Sequence, residues 1–320
     1  MKRRINLFEV TELKPKEIQP EEKAPSTRKV SQVSAVFEDL DPVTMVMNSE
    51  TNQFGNKPDY YKTRGTRLSV VDPRLVALDR MYFADKDILD IGCHCGLIPL
   101  QLGKYFDVKS VKGMDLDYRL INRATTIWAK EELRVQKAAG KKVEKAHEPG
   151  MGQTIDLDTD SESESISTSP LPTANLLQSS NQSTSAQPTY PFNVKFQVCN
   201  ILQLSPADHP DRYDTIILFS LTKWVQMNFG DAAICTLFRT VKSLLRVGGR
   251  LILEAQKFKS YTKLARVCAR FQAVYPEIKL RPEEYDKILT QELGLMKEGI
   301  FESLCRDSFK RELVVYRRVN

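Results

Sequence analysis

Residues 88–96 (ILDIGCHCG) place an apolar run, an acid and a glycine-bearing turn in direct succession. The apolar run predicts a buried β-strand, and the pattern LIPLQL that follows predicts a helix. A second short run, residues 111–117 (VKGMDLD), ends in acid about 20 residues further on, the spacing at which a βαβ unit sets a carboxylate against a ribose diol. Asp115 is therefore predicted to bind the hydroxyls of a ribose.

The turn after the first strand narrows the class of ligand. A dinucleotide-binding turn uses three glycines and needs no acid before them, whereas Asp90 precedes Gly92 and Gly96 here. An acid inside the turn suits a cationic nucleoside that carries no phosphate. The pattern resembles the S-adenosylmethionine site of class I methyltransferases, with a turn that binds no ligand as the alternative.

Strand and helix patterns alternate along much of the chain. Strands are predicted at 87–91, 110–115, 194–198, 213–219, 250–254 and 312–316, and helices at 74–83, 97–105, 119–139 and 231–245. Such alternation predicts an α/β fold with a doubly wound, mostly parallel, Rossmann-like sheet, which binds its ligands at the carboxyl ends of the strands.

Two stretches do not look like parts of this domain. Residues 1–45 mix charge, proline and isolated apolar residues, and residues 141–190 are rich in Ser, Thr, Pro and Gln. Both are predicted to be disordered, since they lack the apolar residues needed to offset the entropy of ordering. The prediction is thus an N-terminal arm, 1–45, and one methyltransferase domain, 46–320, interrupted by an acidic insertion, 141–190.

The charge is distributed unevenly. Residues 149–190 carry −5 of a formal net charge of +6, which leaves +11 for the remainder. A basic globular part suits a polyanionic partner such as nucleic acid, although many basic proteins bind none.

Other classes of site are not indicated. The six cysteines show no disulfide framework, and the spacing of Cys93, His94 and Cys95 is too tight for a zinc knuckle, so no metal is predicted. No apolar run approaches the ~20 residues that span a bilayer, and the first residues are too charged to form a secretory core. A soluble, intracellular protein with no membrane partner is expected.

Three further segments make the resemblance specific. They are GNKPDYYKTR at 55–64, SLTKWVQMNFGD at 220–231 and GGRLILEAQ at 248–256. Together with the glycine-bearing turn they resemble the bicoid-interacting family of RNA methyltransferases, over about residues 52–133 and 192–320. The resemblance implies S-adenosylmethionine as cofactor and methylation of a terminal phosphate oxygen at the 5′ end of a small non-coding RNA. It also implies a nuclear location, with the cytoplasm as alternative, and leaves open further ribonucleoprotein subunits as partners.

The resemblance also implies roles for individual residues. The predicted cofactor-binding residues are Tyr61, Arg67, Asp90, Gly92, Cys93, His94, Gly96, Asp115, Leu116, Asn200, Ile201 and Phe219. The predicted RNA- or phosphate-binding residues are Asn56, Tyr60, Arg64, Lys223, Trp224 and Asn228, of which Tyr60, Arg64 and Lys223 are the catalytic candidates. The family commonly has Asn where this chain has His94, and Asn adopts a positive φ more readily than His.

The alternatives remain open at this point. Arg64 and Arg67 can be solvated surface residues, Tyr60 and Tyr61 packing aromatics, Trp224 a core residue and Lys223 a helix-face lysine. The first alternative function is methylation of a 5′ monophosphate on transfer or precursor RNA. The second is a largely non-catalytic ribonucleoprotein subunit that uses the same fold only to grip RNA, and a protein methyltransferase is more remote.

Overall fold

A computed structural model describes residues 53–57, 59–145, 188–205, 212–305 and 310–320. Seven strands within these ranges form one sheet, in the order β3-β2-β1-β4-β5-β7-β6. The strands are β1 (Asp87–Ile91), β2 (Ser110–Asp115), β3 (Val194–Val198), β4 (Tyr213–Phe219), β5 (Leu245–Glu254), β6 (Leu295–Glu302) and β7 (Glu312–Arg318).

The sheet is parallel except at one edge. Strand β1 pairs in parallel with β2 on one side and with β4 on the other, whereas β7 is antiparallel to both β5 and β6. The predicted doubly wound, mostly parallel α/β fold is confirmed. Because the carboxyl ends of the parallel strands meet at one edge, Asp90, Asp115, Phe219 and Glu254 are brought to the same edge of the sheet.

Helices cover both faces of the sheet. They are α1 (Tyr60–Arg64), α2 (Pro73–Val76), α3 (Leu97–Tyr105), α4 (Tyr118–Lys145), α5 (Thr222–Leu244), α6 (Tyr261–Leu264), α7 (Ala269–Val274) and α8 (Tyr285–Lys287). Alternate side chains of the central strands enter opposite cores: Ile88 and Ile217 pack on one face, and Leu89 and Ile216 on the other. All four are fully buried, and each such burial contributes about 1.5–3 kcal/mol.

Three helix predictions need correction. The helix predicted at 74–83 is two short pieces, because the carboxylate of Asp79 accepts a hydrogen bond from the backbone N–H of Met81 and begins a separate 3₁₀ turn at Arg80–Tyr82. Helix α4 passes Gly140 and continues to Lys145, since one glycine costs a helix only about 1 kcal/mol.

The third correction concerns α5. This helix begins at Thr222 instead of residue 231, and Gly230, with φ 76° and ψ −170°, separates its two helical parts. The helix predicted from residue 231 is the second part. The first part was not predicted, although it carries Lys223 and Trp224.

The segment between β5 and β6 was also missed. It consists of short turns, α6 to α8, which pack on α5 through a small core of Tyr261, Leu264 and Phe271. Edge strand β6 exposes most of its side chains, so that its sequence lacks the apolar alternation of a half-buried strand.

The predicted arm, residues 1–45, lies outside the described residues, as do residues 146–187 of the predicted insertion. Among the described ranges, no helix is both long and apolar enough to cross a membrane.

The turn after β1 supplies a test of this packing. Gly96 has φ 76°, and a Cβ there would lie 2.6 Å from the Phe196 ring and 2.8 Å from the Ala124 Cβ. We expect Gly96→Ala to lower the free energy of unfolding by at least about 2 kcal/mol, through backbone strain and overpacking together. Urea unfolding would measure it.

Gly248→Ala is the matched control. Gly248 has φ 82°, but a Cβ added there would meet nothing within 4 Å among the described residues, so only the backbone strain of about 1 kcal/mol should appear. Equal losses in the two variants would show that Gly96 is not held by close packing.

Candidate active site

A deep cavity lies at the carboxyl ends of β1, β2 and β4. This inner cavity encloses about 940 Å³ of empty space, part of it open to solvent. Eleven of the predicted site residues line it: Asn56, Tyr60, Tyr61, Asp90, Gly92, Asp115, Leu116, Asn200, Ile201, Phe219 and Trp224. The predicted motifs therefore converge, although they lie far apart in sequence.

Asp115 ends β2 and is fixed by the backbone. Its carboxylate accepts hydrogen bonds from the backbone N–H groups of His94 and Asp117, at 2.8 and 2.9 Å. Burial raises its pKa to about 6. Each carboxylate oxygen can accept a second hydrogen bond, so Asp115 can still bind a diol from the cavity.

Asp90 has a different environment. It is 2% exposed, and its Oδ2 has no hydrogen-bond partner among the described residues. Burial raises its pKa to about 7; the charge of Arg74 opposes this rise, and the charge of Asp115 adds to it. A buried carboxylate oxygen without a hydrogen-bond partner is costly, and a cationic donor group of a ligand in this cavity would reduce that cost.

The turn between these acids lets a ligand approach the backbone. Gly92 has φ 78°, and a Cβ there would lie 2.9 Å from Leu221. The absence of a side chain leaves the turn at residue 92 exposed to the cavity, where Gly92 is part of the lining.

Four predicted cofactor residues do not line the inner cavity. The Cys93 thiol is buried, close to Gly113, and Gly96 caps the N-terminus of α3. Arg67 is exposed, and its carbonyl accepts a hydrogen bond from the side chain of Gln101. A role for these side chains in cofactor binding stays a prediction.

His94 is the fourth, and it links the turn to the N-terminal segment. It adopts φ 55°, and its Nε2 donates to the carbonyl of Lys57 at 2.8 Å. Its ring also packs against Tyr60 and Tyr61, with centroids 5.4 and 5.5 Å apart. Burial lowers its pKa, which keeps the ring neutral. His94 therefore holds the segment that closes one side of the inner cavity.

A second cavity adjoins the first. This basic cavity has about 750 Å³ of empty space, part of it open, and shares Gly55, Tyr60, Ser220 and Trp224 with the inner cavity. Its charged lining residues are Lys57, Arg64, Lys223, Arg311 and Asp59. Four cations face one exposed carboxylate, so the basic cavity is suited to a polyanion.

The pKa of Lys223 reflects both its burial and the concentration of positive charge in the basic cavity. Burial, together with the charges of Arg311 and Lys57, lowers its pKa to about 8. Its ammonium lies 5.1 Å from the ring centroid of Trp224, and no carboxylate of the described residues lies within ion-pair distance. An anion in the basic cavity would stabilise its charged form.

Three arginines of the site are held in place by one buried carboxylate. Glu254, at the end of β5, is fully buried and forms ion pairs with Arg74 at 3.1 Å, Arg311 at 3.4 Å and Arg64 at 3.6 Å. Ser220 donates a further hydrogen bond to it at 2.7 Å. Although burial raises the pKa of Glu254, the guanidinium charges, that of Arg74 first, outweigh burial and lower it.

Sequence reasoning missed Arg74, Glu254 and Arg311. The strand-end rule could have indicated Glu254, which ends a buried strand just as Asp115 does. Arg74 lies within a predicted helix and carries no motif. Arg311 precedes an antiparallel strand at the far end of the chain, and nothing in its local sequence indicates a site.

Asn228 lies elsewhere than expected. It is 2% exposed and lines neither cavity. Its amide donates to the backbone carbonyls of Gln53 and Trp224, each at 2.8 Å. The side chain thus fastens the N-terminal segment to α5, and direct contact with RNA stays a prediction. Within the described part of the chain, no cluster of His, Cys, Asp or Glu side chains could hold a metal ion.

Comparison with known proteins identifies the family. A sequence profile described as Bicoid-interacting protein 3 (Bin3) matches residues 213–318. The chain is 31% identical to a "Probable RNA methyltransferase" of Arabidopsis thaliana, over 93% of this chain and 91% of that protein.

Two relatives are named as capping enzymes. The chain is 32% identical to the mouse 7SK snRNA methylphosphate capping enzyme, over 74% of this chain but only 36% of the mouse protein. It is 27% identical to the U6 snRNA methylphosphate capping enzyme Amus of Drosophila melanogaster, over 85% of this chain and 77% of that protein.

The inner cavity fits the methyl donor of such enzymes, since Asp115 can accept hydrogen bonds from a ribose and the buried Oδ2 of Asp90 has no hydrogen-bond partner among the described residues. The resemblance seen in the sequence is confirmed: the chain belongs to the Bicoid-interacting protein 3 family of RNA methyltransferases, and its cofactor is S-adenosylmethionine.

Proposed function

We propose that this protein methylates a terminal phosphate oxygen at the 5′ end of a small non-coding RNA. The main support for this proposal is that the two cavities adjoin each other. The inner cavity suits the methyl donor, the basic cavity suits a polyanion, and Tyr60, Ser220 and Trp224 line both. A phosphate in the basic cavity is thus next to the donor.

The charges present suit this chemistry. S-adenosylmethionine supplies an electrophilic methyl group. A phosphate oxygen is already anionic near pH 7, so no side chain has to remove a proton. Correspondingly, the one carboxylate among the described residues lining the basic cavity is the exposed Asp59. The residues must align the phosphate oxygen with the methyl carbon and the sulfur of the donor, and they must offset the charge of the phosphate.

Within this proposal each group has a role. Arg64 and Lys223 bind the phosphates from the basic cavity, and the Arg64 guanidinium carbon lies 4.9 Å from the ring centroid of Tyr60, which orients it. Asp115 binds the ribose of the cofactor, and Asp90 faces the α-ammonium group of its amino-acid end. Leu116, Asn200, Ile201 and Phe219 line the remaining wall.

The relatives support a nuclear substrate. Two are named for capping small nuclear RNAs, so we propose a small nuclear RNA that ends in a triphosphate, and a nuclear location. A non-catalytic subunit is disfavoured, because a protein that bound no cofactor would gain nothing from burying the Oδ2 of Asp90 without a hydrogen-bond partner among the described residues. A 5′ monophosphate substrate would show itself as a preference for monophosphate RNA over triphosphate RNA.

Removal of one cation tests the phosphate site. We expect Lys223→Met to lower turnover on 5′-triphosphate RNA by ~10² or more, the scale of losing one preorganised charge. Binding of S-adenosylhomocysteine should be unchanged, and stability should not fall, because Lys223 has no ion pair among the described residues. Labelled-methyl transfer and calorimetry would measure these.

Lys137→Met serves as the control, since Lys137 is exposed on α4. Matched RNAs with 5′ triphosphate, monophosphate and hydroxyl ends should be assayed with the wild-type protein. If the hydroxyl RNA is methylated as fast as the triphosphate RNA, phosphate methylation is excluded. A preference for the monophosphate RNA would favour the alternative substrate.

The pH dependence of cofactor binding tests Asp90. Its pKa of about 7 means that the carboxyl gains a proton as pH falls from 8 to 6. The α-ammonium group of S-adenosylhomocysteine favours the ionised form of Asp90, so the Kd of this ligand should rise about tenfold over this interval. Calorimetric titration at several pH values would measure this rise.

Asp90→Asn should bind more weakly at pH 8 and lose most of this pH dependence, leaving a smaller change that arises from Asp115, with its pKa of about 6. A wild-type Kd that does not change with pH would remove Asp90 from contact with the charged part of the cofactor. An equally steep change of Kd with pH in the Asp90→Asn variant would also remove Asp90 from that contact.

A further inference from the structure

The segment after β5 carries an unusual concentration of positive charge. Residues 257–281, here called the basic lobe, contain seven Lys or Arg residues and one acid, Glu277. Six of the seven are exposed: Lys257, Lys259, Lys263, Arg266, Lys279 and Arg281. None of these six has an ion pair with a carboxylate of the described residues, whose ion pairs lie elsewhere.

Three of these cations share one side of the lobe. Lys259, Lys263 and Arg266 follow one another at i, i+4 and i+7 through the helical turns at 258–265, a spacing that places side chains on one face. The opposite face is apolar, because Tyr261 and Leu264 pack into the small core against α5. Because the apolar face is packed against α5, the charged face points towards solvent.

The lobe is rigidly attached to α5. The carboxylate of Asp231 accepts hydrogen bonds from the backbone N–H groups of Lys279 and Leu280, at 2.8 and 2.9 Å. The guanidinium of Arg270 donates to the carbonyl of Asn228 at 2.6 Å. Because α5 also carries Lys223 and Trp224, the lobe keeps a fixed position relative to the basic cavity.

The lobe begins at the edge of that cavity. Gln256, the residue before it, lines the basic cavity, and its amide donates to the carbonyl of Ser220 at 2.6 Å. On the lobe itself, Phe258 stacks on Tyr275 with an interplanar angle of 12°, and the Arg281 guanidinium lies 3.6 Å from the Phe258 centroid. This stack holds the Arg281 guanidinium against Phe258, two residues along the chain from Gln256.

We infer that the basic lobe binds the phosphodiester backbone of the RNA downstream of its 5′ end. This inference rests on the proposed function, because the lobe extends the surface that begins at the 5′ phosphates. The evenly spaced phosphates of a nucleic-acid strand suit a set of exposed cations that have no acidic partner among the described residues. Contacts of this kind bind a strand without recognising its sequence. The lobe would thus supply affinity for RNA, and the basic cavity would select the chemistry of its end.

The test is a binding experiment that does not depend on methyl transfer. A 20-nucleotide RNA, fluorescently labelled at its 3′ end, would be titrated with the full chain in the presence of S-adenosylhomocysteine, with either a 5′ triphosphate or a 5′ hydroxyl. The triple variant Lys259→Glu, Lys263→Glu, Arg266→Glu should weaken binding of both RNAs at least tenfold. Lys223→Met should weaken binding of the triphosphate RNA alone.

Two further variants keep the result interpretable. Lys130→Glu, Lys137→Glu, Lys195→Glu changes the charge equally, at exposed positions on α4 and the opposite edge strand, and should bind nearly as well as the wild type. Replacing the same three lobe residues by Gln should lower the slope of log Kd against log salt by about 2, at ~0.7 per lost phosphate contact of a single strand. Melting temperature and cofactor affinity should stay at wild-type values.

The inference is overturned if the lobe variant binds both RNAs as tightly as the wild type, or if the control variant weakens them equally. It is also overturned if the lobe charges are needed for binding anionic phosphatidylserine vesicles but not RNA. These results leave phosphate methylation intact, because that activity is read from the end-group preference of the wild-type protein. Conversely, equal methylation of hydroxyl RNA would exclude the phosphate chemistry while the lobe could still be shown to bind RNA.

Discussion

The buried carboxylate of Glu254 is the interaction on which the site depends. It joins Arg64, Arg74 and Arg311, which come from the N-terminal segment, the turn before β1 and the start of β7. A lone carboxylate could not remain ionised at full burial, and three guanidinium groups could not converge without it. The group therefore folds as a unit, with more positive charge than negative.

The excess positive charge is not distributed evenly around Glu254. Asp72 balances Arg74 through two hydrogen bonds at 2.8 and 2.9 Å, which places a neutral pair on the side of the inner cavity. Arg64 and Arg311 share the single negative charge of Glu254 and lie on the side of the basic cavity. The part of this ionic cluster that faces the inner cavity, and so a cationic ligand, is therefore neutral. The part that faces the basic cavity, and so an anionic ligand, has an excess of positive charge.

The sequence predicted the parts of this arrangement that follow from local chain geometry. Asp90, Gly92 and Asp115 could be predicted because parallel strands bring their carboxyl ends together, so position along a strand implies position in space. The central strands could be predicted because they are buried on both faces and read as continuous apolar runs. The contacts by which the side chain of His94 links the turn to the N-terminal segment could not be predicted from its place in the motif, and its role in cofactor binding stays a prediction.

The ion pairs could not be predicted in the same way. Glu254 and Arg74 are 180 residues apart, and their pairing depends on how strand β5 and helix α2 pack. Such a contact leaves no periodic pattern in the sequence, and an isolated arginine is usually interpreted as a solvated surface residue. Edge strand β6 was missed for a related reason, since one of its sides faces solvent and few of its residues need to be apolar.

Helix α4 enters the predicted insertion, since its last five residues, 141–145, belong to that segment. Tyr190, the last residue of the predicted insertion, donates a hydrogen bond to Glu131 within this helix. Helix α4 continues 14 residues past Glu131 to Lys145, which is about 20 Å at 1.5 Å per residue. Because α4 returns from the end of β2 to the start of the parallel strand β3, it leaves the active-site edge of the sheet behind. The described chain therefore leaves the domain at Lys145, on the side of the sheet away from the two cavities.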